Sequence, residues 1–258
     1  MDFSNKYIIG FALALCLVCS LVVSTLAVSL KERQDANKLH DLQLNILRVA
    51  GLIEEGGKVT PEEAADLFKD VQTIKVSRET GEAIEEIPFG TDFDMFKLAK
   101  DKDTSTATTT RAAKDASVSR IPNELVVLKV TAPGNECYVF QFWGNGLWST
   151  MHGYIAVETD LQNVKGLTFV EHGETPGLGG EVDNPSWKSQ WPSRQLFNDE
   201  GVLAIDVTKK GQVKDPTYQV DGISGSTITS VAVGAMLQTW LGEEGFGPFL
   251  AREKEDKS

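Results

Sequence analysis

From Tyr7 to Leu30 the chain reads YIIGFALALCLVCSLVVSTLAVSL, without one charged side chain. As a helix rising about 1.5 Å per residue, this run extends roughly 35 Å, enough to cross a bilayer core. A cleaved signal peptide competes with that reading. Its apolar region, however, normally spans about 7–15 residues before a small-residue cleavage site, and this run is longer. Val18 before Cys19 and Leu15 before Cys16 also disfavour a lipoprotein site, where a small residue usually precedes the cysteine. The expectation is an uncleaved transmembrane anchor over residues 1–30. Lys6 flanks one end and Lys31, Arg33 and Lys38 the other, so charge alone does not set its orientation.

The rest of the chain must fold in water. The net charge of −12 excludes nucleic acid as a partner, because that needs a basic footprint. Cys16, Cys19 and Cys137 supply neither a disulfide framework nor a zinc site, and His40, His152 and His172 are too scattered for a metal cluster. No sodium cage can be singled out among the surface acids.

Leu39, Leu42, Ile46, Leu47 and Val49 recur at near-helical spacing and predict a helix ending at Gly51. Thr60, Pro61 and the acids after them predict a second helix start. Residues 101–120, DKDTSTATTTRAAKDASVSR, lack an apolar face and predict a flexible excursion. The expected division is therefore the anchor (1–30), a membrane-proximal helical region (31–120) and a folded domain (121–258). From Ile121 the texture turns to strands: ELVVLKVT, CYVFQFWG, GYIAVETD, KGLTFVEHG and GVLAIDVTKKG. A final helix comes next, with Val233, Leu237, Trp240 and Leu241 on one face and Gly242 or Gly245 closing it. The fold class is α+β: an antiparallel sheet flanked by helices, with one N-terminal transmembrane helix.

DGISGSTITS, Asp221 to Ser230, enters that final helix. First-turn N–H groups lack intrahelical partners and carry the positive end of the dipole, which makes a seat for phosphate. Gly225 and Ser226 allow close approach to the backbone, while Ser224, Thr227 and Thr229 add hydroxyls. The same residues also make an ordinary N-cap, and composition leaves both readings open.

SGST within this stretch resembles the S/T-G-A-T motif on which a dedicated flavin transferase attaches FMN to threonine through a phosphoester. The resemblance implies that Thr227 is the acceptor and Asp221 the upstream acid, with Ser226 standing where alanine is usual. EHGETPGLGGEVDNPSWKSQW, Glu171 to Trp191, is similar to the flavin-facing loop of the same covalent FMN-binding domain family. Pro176, Gly177, Gly179 and Gly180 turn the backbone sharply with little bulk, so a flat isoalloxazine could lie there. Leu178 would be the apolar contact and Thr175 a hydroxyl partner. Glu174 belongs to the loop; it and His172 also read as residues bonding nearby backbone, without a proton-transfer role. In GNGLWSTMHGYIA, Trp148 reads as a stacking cover or as a buried core tryptophan.

These motifs, with the anchor, NKLHDLQLNILRVAGL and WLGEEGFGPFL, occur in the order of the C subunit of the Na(+)-translocating NADH:quinone oxidoreductase, a family the chain resembles. The resemblance implies a bacterial inner-membrane subunit with a periplasmic FMN domain over 121–258. It would carry electrons between other subunits toward quinone in a complex that pumps Na⁺, after maturation by a flavin transferase. The flavoprotein subunit of the related ion-translocating ferredoxin:NAD oxidoreductase shares the flavin motif and anchor; GGEVDNPSW, GFGPFL and the membrane-proximal helix favour the C subunit of the sodium pump. A membrane-anchored binding module without a redox role would carry no flavin. Lys209 and Lys210 read either as offsetting the phosphate charge or as solvated surface.

Overall fold

The computed structural model describes residues 4–54, 56–91 and 93–256. Residues 1–3 of the expected anchor and 257–258 of the expected C-terminal domain lie outside them. Two compact units divide at residue 42. The first consists of one helix, α1, which runs Asn5–Val49 and so ends inside the second unit. Among the described residues it is the one helix long and apolar enough to cross a membrane, with a mean hydropathy of 2.6 over its most apolar window. The apolar run and the amphipathic stretch after it therefore form one helix.

Within the second unit, Ile46, Leu47 and Val49 are buried. Gly51 ends the helix at φ +76°, a left-handed turn that favours glycine. Thr60 then starts α2 (Pro61–Leu67) with a full capping box: its hydroxyl accepts from Glu63 N–H, and the Glu63 carboxylate accepts from Thr60 N–H.

Strands β1 (Val71–Ser77) and β2 (Ala83–Ile87) come next. Then come α3 (Met95–Leu98), β3 (Ser105–Ala107), α4 (Arg111–Asp115) and β4 (Arg120–Pro122). The segment expected as a flexible excursion thus carries a strand pair and a short helix. Its hydroxyls explain the order. Thr108 donates to Val118 O, and Glu244 accepts from the N–H and hydroxyl of both Thr109 and Thr110.

The long strands are β5 (Glu124–Val130), β6 (Cys137–Asn145), β7 (Thr150–Glu158) and β8 (Val164–Glu171). With β1 and β2 they build one antiparallel sheet in the order β2-β1-β5-β6-β7-β8, bearing out the α+β class. The sheet runs across the division expected at residue 121, because β1 pairs along all of β5. Lys75 of β1 stitches the edge by pairing with Glu85 and Glu124, both at 2.9 Å.

After the short α5 (Pro185–Lys188), the strand expected in GVLAIDV shrinks to β9 (Asp206–Val207), paired in parallel with β10 (Gln219–Val220). Val202 lies exposed and Leu203 makes only an isolated bridge to Phe197, so the alternation there does not extend a ladder.

Helix α6 (Thr227–Trp240) packs on β6 and β9. Two glycines permit the approach. A Cβ on Gly144 would come 2.6 Å from Met236 Cγ, and one on Gly234 would come 2.3 Å from Asp206 Oδ1. Trp240 is fully buried and donates its indole N–H to Trp143 O at 2.7 Å, while its ring lies 3.9 Å from the Trp143 ring. The expected closure at Gly242 and Gly245 holds for α6, but it is not the last helix: Pro248 opens α7 (Gly247–Glu255). Trp240→Ala is expected to lose about 3–5 kcal/mol of stability, as read by denaturant unfolding of the detergent-solubilised chain.

Candidate functional site

The first turn of α6 sits at the surface. Thr227 and Ile228 are exposed, whereas Ser226, Thr229 and Ser230 are buried. Ser226 precedes the helix without capping it through its side chain. Its carbonyl accepts from Ser230 N–H, and its hydroxyl donates to Thr229 Oγ1 at 3.0 Å. The hydroxyls of this stretch are therefore not an ordinary cap. Gly225 makes the turn before the helix at φ +71°, and a Cβ there would lie 3.2 Å from Leu178 Cδ2. A side chain at this position would be strained and would crowd the loop that Leu178 belongs to.

That loop leads out of β8. Thr175 O accepts from both Leu178 and Gly180 N–H at 3.0 Å, and Gly177 turns at φ +77°. Leu178 is thereby presented outward, 45% exposed. Trp148 stands in the β6–β7 connection and is 70% exposed, which corrects the reading of it as a core residue and leaves its face open. Leu147, Ile228 and Val231 are exposed as well, so the three stretches that carry Trp148, Leu178 and Thr227 each present apolar side chains outward, a discontinuous collar. Side chains three and four apart share a helix face, which groups Val231 with Thr227 and, on the adjoining side, with Ile228.

Glu174 joins these parts from beneath. It is 5% exposed. Oε2 accepts from the Thr229 hydroxyl at 2.7 Å and Leu147 N–H at 3.2 Å, and Oε1 from Trp148 N–H at 2.9 Å and Ser149 N–H at 3.3 Å. Burial pushes its pKa up, but the bonds from Thr229, Trp148, Leu147 and Ser149 outweigh burial and hold the carboxyl below its ordinary value. Glycines make room for it: a Cβ on Gly146 would meet Oε1 at 2.6 Å and one on Gly179 would meet Oε2 at 2.5 Å. Among the loop residues, His172 Nδ1 accepts from Glu174 N–H and Nε2 donates to Asp183 at 2.7 Å, in keeping with a structural reading of this histidine.

Asp221 finds its partners outside the first turn of α6. Its carboxylate accepts from Gly211 N–H at 2.6 Å and pairs with Lys210 at 2.7 Å. Its backbone is gripped by Gln190 and by the Trp187 indole N–H. Lys210 is therefore solvated, 57% exposed, and at the same time paired with Asp221 rather than standing as a free counter-charge. A cleft of about 300 Å³ opens beside the loop, lined in part by Gly177, Trp187, Gln190, Lys210 and Ser224. Gln190, Ile228 and Val231 escaped sequence reasoning; an apolar residue in a hydroxyl-rich stretch was the one available signal, at Ile228.

The chain's residues 146–242, which hold the collar, the loop and α6, match the FMN-binding domain family. Over its length the chain is 42% identical to the C subunit of the Na(+)-translocating NADH-quinone reductase of Vibrio parahaemolyticus, covering 98% of this chain and 96% of that one. It is 40% identical to the C subunit of the same reductase from Pseudomonas aeruginosa, covering 96% and 95%. The crystal structure of Shewanella oneidensis NqrC superposes with a TM-score of 0.75 at 34% identity, covering 85% of this chain and 99% of that one. The chain belongs to the family of C subunits of Na(+)-translocating NADH-quinone reductases, which bears out the resemblance carried by its motifs.

Burial raises the Asp221 pKa, but Lys210 and the Gly211 and Gly222 N–H groups more than offset this and leave it below its ordinary value. Its contribution to stability is then full above the unfolded carboxylate range and is lost as pH falls through the lower folded value. Asp221→Asn is expected to cost about 1 kcal/mol or less at pH 7, given the exposure of Lys210. In urea unfolding the gap from the wild type narrows toward pH 3.

Proposed function

We propose that this chain is the electron-carrying subunit of a Na⁺-translocating NADH:quinone reductase, holding FMN as a phosphoester on Thr227 and passing electrons toward quinone. The observation that carries the reading is the exposed Thr227 at the start of an α6 whose N-cap side chain leaves the first turn uncapped. FMN fits the residues present. First-turn N–H groups and the helix dipole favour a phosphodiester. Gly225 keeps the approach clear, and Ser224, exposed beside it, offers a hydroxyl. Trp148, Leu178 and Ile228 give the flat ring apolar surface to cover, with Thr175 and Gly177 turning Leu178 outward.

When bound, the flavin supplies the electron chemistry; the protein orients and shields it. No residue is needed as nucleophile in turnover. Thr227 contributes its oxygen once, during attachment by a flavin transferase. Covalent attachment keeps the cofactor's local concentration high whatever its dilution outside. Lys210 is paired with Asp221, so the helix terminus takes the main share of balancing the phosphate charge. The remaining partners are the other subunits of the reductase and the membrane. The single anchor α1 holds the chain in a bacterial inner membrane, with the FMN domain on the periplasmic side.

Two experiments test this. Made together with a flavin transferase, the denatured chain is expected to show flavin fluorescence and an FMN-sized mass increment. Thr227→Ala abolishes both, whereas Ser226→Ala retains them. Fluorescence that survives in Thr227→Ala removes the site. In spheroplasts, added protease is expected to digest the domain after α1; protection there would reverse the orientation.

A further inference from the structure

The sequence motif gives Thr227 a role, but it does not say what holds the ring's platform at a fixed place relative to the attachment point. These parts come from three separate stretches: Leu147 and Trp148 from the β6–β7 connection, Leu178 from the loop after β8, and Thr227 from α6. Linked by the backbone alone, the stretches would shift independently.

The geometry points to Glu174 as the positioning residue of the flavin site, a buried anion that locks the Trp148 connection to the first turn of α6 through Thr229 and Ser226. This inference rests on the flavin reading above. Three donors to its carboxylate are successive N–H groups of Leu147, Trp148 and Ser149, and the fourth is the Thr229 hydroxyl. A carboxylate offers about four lone-pair sites, and here each faces a donor. None is left for a cofactor, so Glu174 acts through its neighbours rather than by touching the ring. Glutamine would not serve, because its amide would aim N–H against N–H.

Ser226 extends the chain of bonds by donating to Thr229. Its hydroxyl is buried, and it stands where the related motif carries alanine. This protein therefore joins the residue next to the acceptor to the same network. The connectivity ranks the consequences. Loss of Glu174 frees both sides, loss of the Thr229 hydroxyl cuts the tie to α6, and loss of the Ser226 hydroxyl removes only the outermost link.

The test uses the full chain in detergent, with and without FMN loading. In unloaded protein, amide hydrogen exchange at Leu147, Trp148 and Ser149 is expected to be slow, and Glu174→Gln to speed it most, Thr229→Val less and Ser226→Ala least. In loaded protein, Trp148 is expected to quench native flavin emission relative to the denatured chain, and Trp148→Phe gives the reference for its removal. Glu174→Gln keeps the FMN mass increment, yet its native emission rises toward that reference. Exchange or quenching in folded Glu174→Gln that matches the wild type overturns the inference, as does faster exchange with quenching intact, which a merely structural role would produce. Should Glu174→Gln fail to fold, Thr229→Val decides by the same readouts. A wild type that takes up no FMN sinks the flavin reading instead, and exchange still judges the lock.

Discussion

One buried carboxylate sets the terms for the functional end of this molecule. An ion taken out of water is tolerated only where its hydrogen-bonding capacity is met, and Glu174 meets it with donors from two segments distant in sequence. Glycines at 146 and 179 are the steric counterpart, since any side chain there would strike the carboxylate. The small residues around the site thus serve the anion beneath it as much as any ligand above it.

The sheet and α6 make that arrangement possible. Trp240 and Met236 seat the helix on β6 through Trp143 and Gly144, which fixes where its first turn emerges. The later part of α6 is mostly buried, with Trp240 against the Trp143 and Phe246 rings, and the exposed residues Thr227, Ile228 and Val231 lie near its start. A rigid scaffold with a small exposed terminus is the usual way for a fold to place chemistry without spending its core.

The parts legible in the sequence are those whose signal is local. The anchor announces itself by absent charge, α2 by its capping residues, and β5 to β8 by β-branched and aromatic runs. The β1–β2 hairpin escaped because β2, AIEEI, is exposed along nearly its whole length and carries no alternation. Residues 101–120 looked structureless because the group that orders Thr109 and Thr110 is Glu244, far along the chain. The glycines after Trp240 stop α6, but Pro248 begins a new helix at once, and a stop signal says nothing about what restarts. At the site, the resemblance of the SGST motif pointed to Thr227 and Gly225, while the Glu174 hub and the Lys210–Asp221 pair were invisible, since both depend on which segments tertiary structure brings together.

The outward side chains of Trp148, Leu178 and Ile228 carry a liability as well as an opportunity. Until something flat and greasy covers them, they order water unfavourably and invite association with other exposed surfaces. With these side chains uncovered the folded polypeptide is at its stickiest, and a flat ligand seated on them would remove that exposure. On the function proposed above, prompt attachment of a flavin would protect solubility as well as equip the chain for redox work.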